Sequence, residues 1–177
     1  RVGGWWIEGG WSKIIPSTGP TIGGTQITVR GHGFLSTPRL ACLFNSVSTT
    51  AVYVSSTMVT CTVPPATTLT TGATVTVTNN GVDVFQDGAL QFTYHRLPSI
   101  SSLAPTFGSI NGGTVVLVRG AHFVQSAALT CRVGNTPAAV VQYLSSSAVL
   151  CTIPPLPMGS YVVSASNNGL DFSVDSD

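Results

Sequence analysis

The sequence predicts an all-β protein built as two tandem β-sandwich domains, and three observations carry that prediction. The chain repeats itself, its apolar residues alternate with period two in both copies, and Gly and Pro punctuate it at short intervals. The run GGTQITVRGHGF at Gly23 returns as GGTVVLVRGAHF at Gly112, 89 positions later. Cys42 maps onto Cys131 at the same offset, CTVPP at Cys61 onto CTIPP at Cys151 at offset 90, and Asn79-Asn80-Gly81 onto Asn167-Asn168-Gly169 at offset 88. An offset that changes only at turns, never inside an apolar run, means two copies of one fold with different loop lengths.

Each strand follows from the alternation that a pleated backbone imposes, since successive side chains point to opposite faces. Ile27 and Val29 alternate with Thr28 and Arg30, and Val116 and Val118 hold the same places in the second copy. Leu40, Cys42 and Phe44 share a face and correspond to Leu129, Cys131 and Val133. Val59, Cys61 and Val63 correspond to Val149, Cys151 and Ile153. Val75 and Val77 alternate with Thr74, Thr76 and Thr78, and Val163 and Ala165 take their places in the second copy. The first copy then closes on Leu90-Gln91-Phe92-Thr93-Tyr94, whereas the second stops at Asp177, eight positions past Gly169, and is expected to lack that last strand. Turn signals fall at Pro16 to Gly24, Gly31 to Gly33, Pro64-Pro65 and Asn79-Asn80-Gly81. Short strands so punctuated read as a sandwich. The expected organisation is an extension over 1–11, a first domain over 12–95, a hinge over 96–98 and a second domain over 99–177.

The chain holds four cysteines, Cys42, Cys61, Cys131 and Cys151, two per copy and all on the inward face of their strands. An even count at matching positions in small Ser/Thr-rich domains favours one disulfide per copy and an oxidising compartment. The competing reading is four buried free thiols, which pack as small hydrophobes. A cross-link between strands about 20 residues apart contributes about 3 kcal/mol.

Charge is sparse. Asp, Glu, Lys and Arg make up 7% of the chain and the formal net charge is +1, against about 25% charged residues in ordinary soluble domains. The seven basic residues are scattered, so no phosphate-tracking face forms and nucleic acid is not an expected partner. Ser and Thr supply roughly a quarter of the residues and carry solubility in place of charge. With a mean hydropathy of +0.37, such a surface repels its neighbours weakly and suits contact with other chains. No apolar run approaches the 18 or so residues of a membrane span, and the start RVGGWWIEGGW lacks the apolar core of a leader.

These residues together resemble a known family. Ile15-Pro16-x-x-Gly19-x-x-x-Gly23-Gly24-Thr25-x-Ile27-x-Val29-x-Gly31-x-x-Phe34 is similar to the opening of an IPT/TIG domain. The run from Leu103-Ala104-Pro105 through Gly108, Gly112-Gly113-Thr114, Gly120 and Phe123 repeats it, and the Cys-x-x-Pro and Asn-Asn-Gly motifs fit as well. The resemblance implies an immunoglobulin-like sandwich in each copy. It implies a spacer, adhesion or dimerisation unit, of the kind found in receptor ectodomains, large surface proteins and Rel-type transcription factors. The paired cysteines resemble the extracellular branch.

Catalysis needs convergent titratable groups, and no such set stands out. Asp83 and Asp171 follow the Asn-Asn-Gly turns, where a carboxylate accepts backbone N–H groups. A calcium site at Asp83 and Asp87 would need a denser set of oxygens. His32, His95 and His122 have no metal-ligand spacing, so no metal and no cofactor are expected, and the chain is not expected to be an enzyme. Trp5, Trp6 and Trp11 have no counterpart in the second copy. They read either as a contact for a partner or glycan or as packing against a neighbouring part of the chain.

The sequence therefore points to a non-catalytic structural or adhesive module of a larger extracellular or cell-surface protein, mediating protein–protein contacts or filament assembly. The alternative is a receptor ectodomain or carbohydrate-binding stalk. Expected partners are other protein chains, copies of itself among them, and glycans; nucleic acid and direct membrane insertion are not. Protein isolated without reductant is expected to show no alkylatable thiol by intact mass, and two or more free thiols per chain would return the cysteines to the reduced reading.

Overall fold

The computed structural model describes residues 10–66, 72–84, 90–138 and 140–173. The chain divides into two compact units, Arg1–His95 and Arg96–Asp177.

Among the described residues unit 1 contains eight strands: β1 (Gly10–Ile15), β2 (Thr18–Pro20), β3 (Gln26–His32), β4 (Ala41–Phe44), β5 (Val47–Ser55), β6 (Met58–Thr62), β7 (Ala73–Thr78) and β8 (Leu90–His95). They follow the order β1-β3-β6-β5-β4-β7-β8-β2. β5 joins the two faces of the sandwich: its first half, from Val47 to Thr50, pairs with β4, and the stretch from Ala51 to Ser55 pairs with β6. All pairings are antiparallel except that of β2 with β8, which is parallel. The alternation read from the sequence is realised in burial: Ile27, Val29, Cys42, Phe44, Val59, Cys61, Val75 and Val77 are all buried. β2 lies inside the stretch expected as turn, and β5 carries no clean alternation, with Val52, Tyr53 and Val54 consecutively exposed.

Cys42 of β4 and Cys61 of β6 form a disulfide, with Cα atoms 6.3 Å apart. The bond therefore links the two sheets through the core. Phe92 of β8 is fully buried in the same core, edge-on to Phe44 at 6.2 Å and to Tyr94 at 5.2 Å between ring centroids. Buried aromatic pairs of this geometry add to the area they remove from water. Tyr94 is 9% exposed, and its hydroxyl donates to the Pro64 carbonyl at 2.9 Å.

The repeated motifs meet one another in space. Gly23, at φ 74°, sits so close to Pro64 and Pro65 that a β-carbon there would lie 2.6 Å from the Pro65 nitrogen. Both the positive φ and the contact require glycine. Gly24 N–H donates to Val63 C=O at 2.9 Å, and Val63 N–H donates to Thr25 C=O at 2.9 Å. Asn79 clamps the loop after β3: its side-chain oxygen accepts from Leu35 N–H at 3.0 Å and its amide donates to Gly33 C=O at 2.8 Å.

Unit 2 repeats this plan with β9 (Ser99–Ala104), β10 (Val115–Ala121), β11 (Thr130–Val133), β12 (Thr136–Pro137), β13 (Val140–Ser145), β14 (Ala148–Thr152) and β15 (Val163–Ser166). One sheet runs β13-β14-β10-β9 and the other β12-β11-β15. Cys131 of β11 and Cys151 of β14 form the matching disulfide between the sheets. The Gly112 clasp on Pro154 and Pro155 is reproduced, with a β-carbon again meeting the Pro155 nitrogen at 2.6 Å. Asn167 repeats Asn79 by holding Val124 N–H at 3.0 Å and His122 C=O at 2.8 Å. The difference lies at β15. Among the described residues its outer edge carries a short bridge from Phe172 to Ser166 and a Ser173 N–H to Ala165 C=O bond, whereas its counterpart β7 carries the strand β8 there.

Three outcomes follow. Replacing both Cys42 and Cys61 with alanine should cost unit 1 about 3 kcal/mol, read as a lower midpoint in guanidinium. Asn167→Ala strands two backbone groups and should cost unit 2 about 1 to 3 kcal/mol. Burial raises the Tyr94 phenol above its ordinary value. Both states are then protonated below about pH 10, and above it the unfolded chain ionises first, so stability falls as pH rises through the folded pKa. An alkaline stability titration should show that decline, and Tyr94→Phe should remove its share of the slope.

Candidate interaction surface

Among the described residues, no group of three or more His, Cys, Asp or Glu side chains is placed to hold a metal ion. The histidines are dispersed: His32 ends β3, His95 ends β8, and His122 sits in the loop after β10 at φ 65°. His122 occupies the position of Gly33, which has φ 81°, so the histidines of the two copies are not equivalent.

Asp83 and Asp171 belong to the turns, in a form slightly different from the one the sequence suggests. The asparagine side chain receives the turn backbone. Asn80 Oδ1 accepts from Val82 N–H at 2.9 Å and Asp83 N–H at 2.8 Å, while its amide donates to the Asp83 carboxylate at 2.7 Å. Asn168 does the same with Leu170, Asp171 and the Asp171 carboxylate. A side-chain amide holding both a turn backbone and a carboxylate is an Asx turn with a lock. Asp87 lies outside the described residues.

The four cysteines pair within their own units, and none is free. Trp5 and Trp6 lie outside the described residues. Trp11 belongs to β1, where its backbone is paired with Gly31, so β1 begins two residues before the first domain expected from sequence.

The feature that sequence reasoning missed is a groove in unit 2. It has a volume of about 350 Å³ and is walled by Leu103, Phe107, Ile110, Val133, Met158 and Tyr161. Phe107 is 83% exposed and Met158 92%, an unusual display for side chains of that size. Among the described residues no acid or base lines it, and the Tyr161 hydroxyl donates to the Pro157 carbonyl at 3.0 Å. The groove can receive apolar or aromatic side chains and backbone. A signal was present in the repeat alignment: Phe107 stands where unit 1 has Thr18, Ile110 where it has Thr21, and Tyr161 where it has Ala73.

Comparison with known proteins bears on the whole arrangement. A profile of the IPT/TIG domain matches residues 11–94 and again 98–177. Human Plexin-A3 is 26% identical over 150 residues, which is 83% of this chain and 8% of that protein. Mouse Plexin-A3 is 25% identical over the same length, again 83% of this chain and 8% of that protein. The chain thus spans under a tenth of the length of these relatives. Among solved structures, the plexin A4 full extracellular region is similar at a TM-score of 0.56, with 22% identity, over 85% of this chain and 13% of that one. That likeness shows the fold. With both halves matched, each pinned by its own cross-sheet disulfide, the chain belongs to the IPT/TIG domain family as a tandem of two such domains.

Proposed function

We propose that this segment is a non-catalytic spacer and contact module within the ectodomain of a cell-surface protein. The observation that carries the reading is the disulfide between the sheets, present in both units. Such bonds persist in oxidising compartments. The Plexin-A3 relatives and the plexin A4 extracellular structure support the same setting. The module has no convergent acid, base or nucleophile among its described residues, and its few charges leave hydroxyl and apolar surface for contact. Val52, Val54, Val82 and Ile22 of unit 1 are each more than 45% exposed. With so little charge these surfaces repel one another weakly, which suits weak protein contacts. Adhesive or like-with-like assembly is the specific form in which these contacts serve.

Two measurements test this. Directed into a secretory pathway, the chain should emerge oxidised and folded; expressed in a reducing cytosol, it should accumulate as unfolded or aggregated thiol form. Equal yield and stability of the reduced protein would remove the extracellular reading. Sedimentation from about 1 to about 100 μM should show mass rising with concentration if copies associate at the affinity of weak surface contacts. A constant monomer would leave a spacer without self-assembly.

A further inference from the structure

We infer that the outer face of the β1-β3-β6-β5 sheet in unit 1 is a binding face for a sulfated polysaccharide, with Lys13 and Arg30 as its paired cations. The inference takes from the ectodomain reading only the setting in which such a polymer is met. The face itself is read from one sheet of one unit.

The chain has seven lysines and arginines in 177 residues. The β1–β3 ladder nevertheless sets two of them directly opposite each other, Lys13 against Arg30. Residues opposed across a ladder share a face and stand roughly 5 Å apart at Cβ, where like charges disfavour the pairing. Both side chains are exposed. His32 lies two residues beyond Arg30 on the same face of β3 and is exposed as well. Glu8 and Asp87 lie outside the described residues. The one described carboxylate of unit 1, Asp83, sits in the turn after β7 and is held by the Asn80 amide at 2.7 Å. Two like charges brought together without a described counter-ion create a local positive field that a polyanion relieves.

Unit 2 shows that the fold does not require the lysine. In unit 1 a register shift between Trp11 and Lys13 inserts Ser12 as a bulge, so that Ser12 and Lys13 are both exposed. The Ser12 hydroxyl donates to the Arg30 carbonyl at 3.4 Å. Unit 2 builds the same bulge: Ser102 stands opposite Arg119, and the Ser101 hydroxyl donates to the Arg119 carbonyl at 3.3 Å. Bulges of this kind re-aim a side chain. The repeat thus keeps the bulge, its serine and the arginine, and has serine where unit 1 has Lys13. The lysine is an addition to a scaffold that is complete without it.

The floor beside the pair suits a sugar ring. Ile15, Thr28, Thr60 and Val52 form the next row across the sheet, and Met58 lies opposite Arg30. The threonine hydroxyls can bond sugar hydroxyls, and the apolar side chains can lie against the non-polar face of a ring. Arg30 meets sulfate with a planar fork and Lys13 with a point charge. A nucleic acid asks for a longer basic track. An acidic peptide would add itself to a sheet edge, whereas Arg30, Thr28 and Thr60 lie on the interior strands β3 and β6.

The test titrates the oxidised 177-residue chain with a heparin decasaccharide at several salt concentrations. Affinity should fall with salt at a log–log slope of about 2, one released counterion for each cation engaged. Lys13→Ser and Arg30→Gln should each weaken binding about 10-fold at about 50 mM salt and lower the slope by about 1. Lys13→Arg should retain binding, and Arg119→Gln, in the unit without a facing lysine, should leave it unchanged. Adding Ser102→Lys to the Lys13→Ser chain should restore binding by rebuilding the pair in unit 2. All these positions are exposed, so each variant should melt as the parent does. Heparin binding that is absent, or that ignores Lys13→Ser and Arg30→Gln, overturns the inference. So does equal affinity for N-acetylheparosan, which carries carboxylates without sulfates, or for polyglutamate, which would give the face to an acidic protein. Any of these failures leaves the spacer reading standing, because that reading is tested by oxidation and not by heparin.

Discussion

Each unit depends on a covalent bond between its two sheets. A sandwich of some 80 residues buries a limited core, and these two have few charges with which to build salt-bridge networks. The cystine of unit 1 sits among Ile27, Val29, Val59 and Val77, all fully buried. It ties the two sheets together within the core. Because it closes a loop of moderate length, it raises the free energy of the unfolded chain as well as ordering the folded one. That leaves the rest of each unit free to be polar without charge, with threonine ladders on the outer faces and apolar residues that need no partner.

Around that bond, the glycine, proline and asparagine motifs form two locks at opposite positions in the chain's path. The Gly-Gly turn before β3 seats on the Pro-Pro step after β6, which ties the beginning of one strand to the end of its neighbour. Asn79 and Asn167 tie the end of β7 and of β15 to the loops after β3 and β10. These interactions replace long loops with short fixed ones.

The two units diverge where contact is possible. Unit 1 buries Phe92 and Tyr94 in its last strand. Unit 2 presents Phe107, Ile110, Met158 and Tyr161 around an apolar groove at the corresponding place. The same architecture therefore buries its aromatic side chains in one unit and leaves Phe107 and Met158 exposed in the other.

The sequence by itself determined the two copies, the identity of most strands and the inward set of residues. Those properties are local: the pleat dictates period two, and Ile27, Val29, Cys42, Val59, Cys61 and Val75 declare it within a few residues of one another. The Asn-Asn-Gly turns were legible for the same reason. The tertiary structure alone decided that β5 is shared between sheets, that Thr18–Pro20 runs parallel to β8, that Gly23 rests on Pro65, and that Asn79 reaches residues 44 and 46 positions away. Backbone pairing carries no side-chain code, and a three-residue strand containing Gly and Pro has no period to read. The groove was hidden for a further reason. An apolar residue looks alike in sequence whether it ends up buried or exposed, and only the folded arrangement shows that Phe107 and Met158 face solvent.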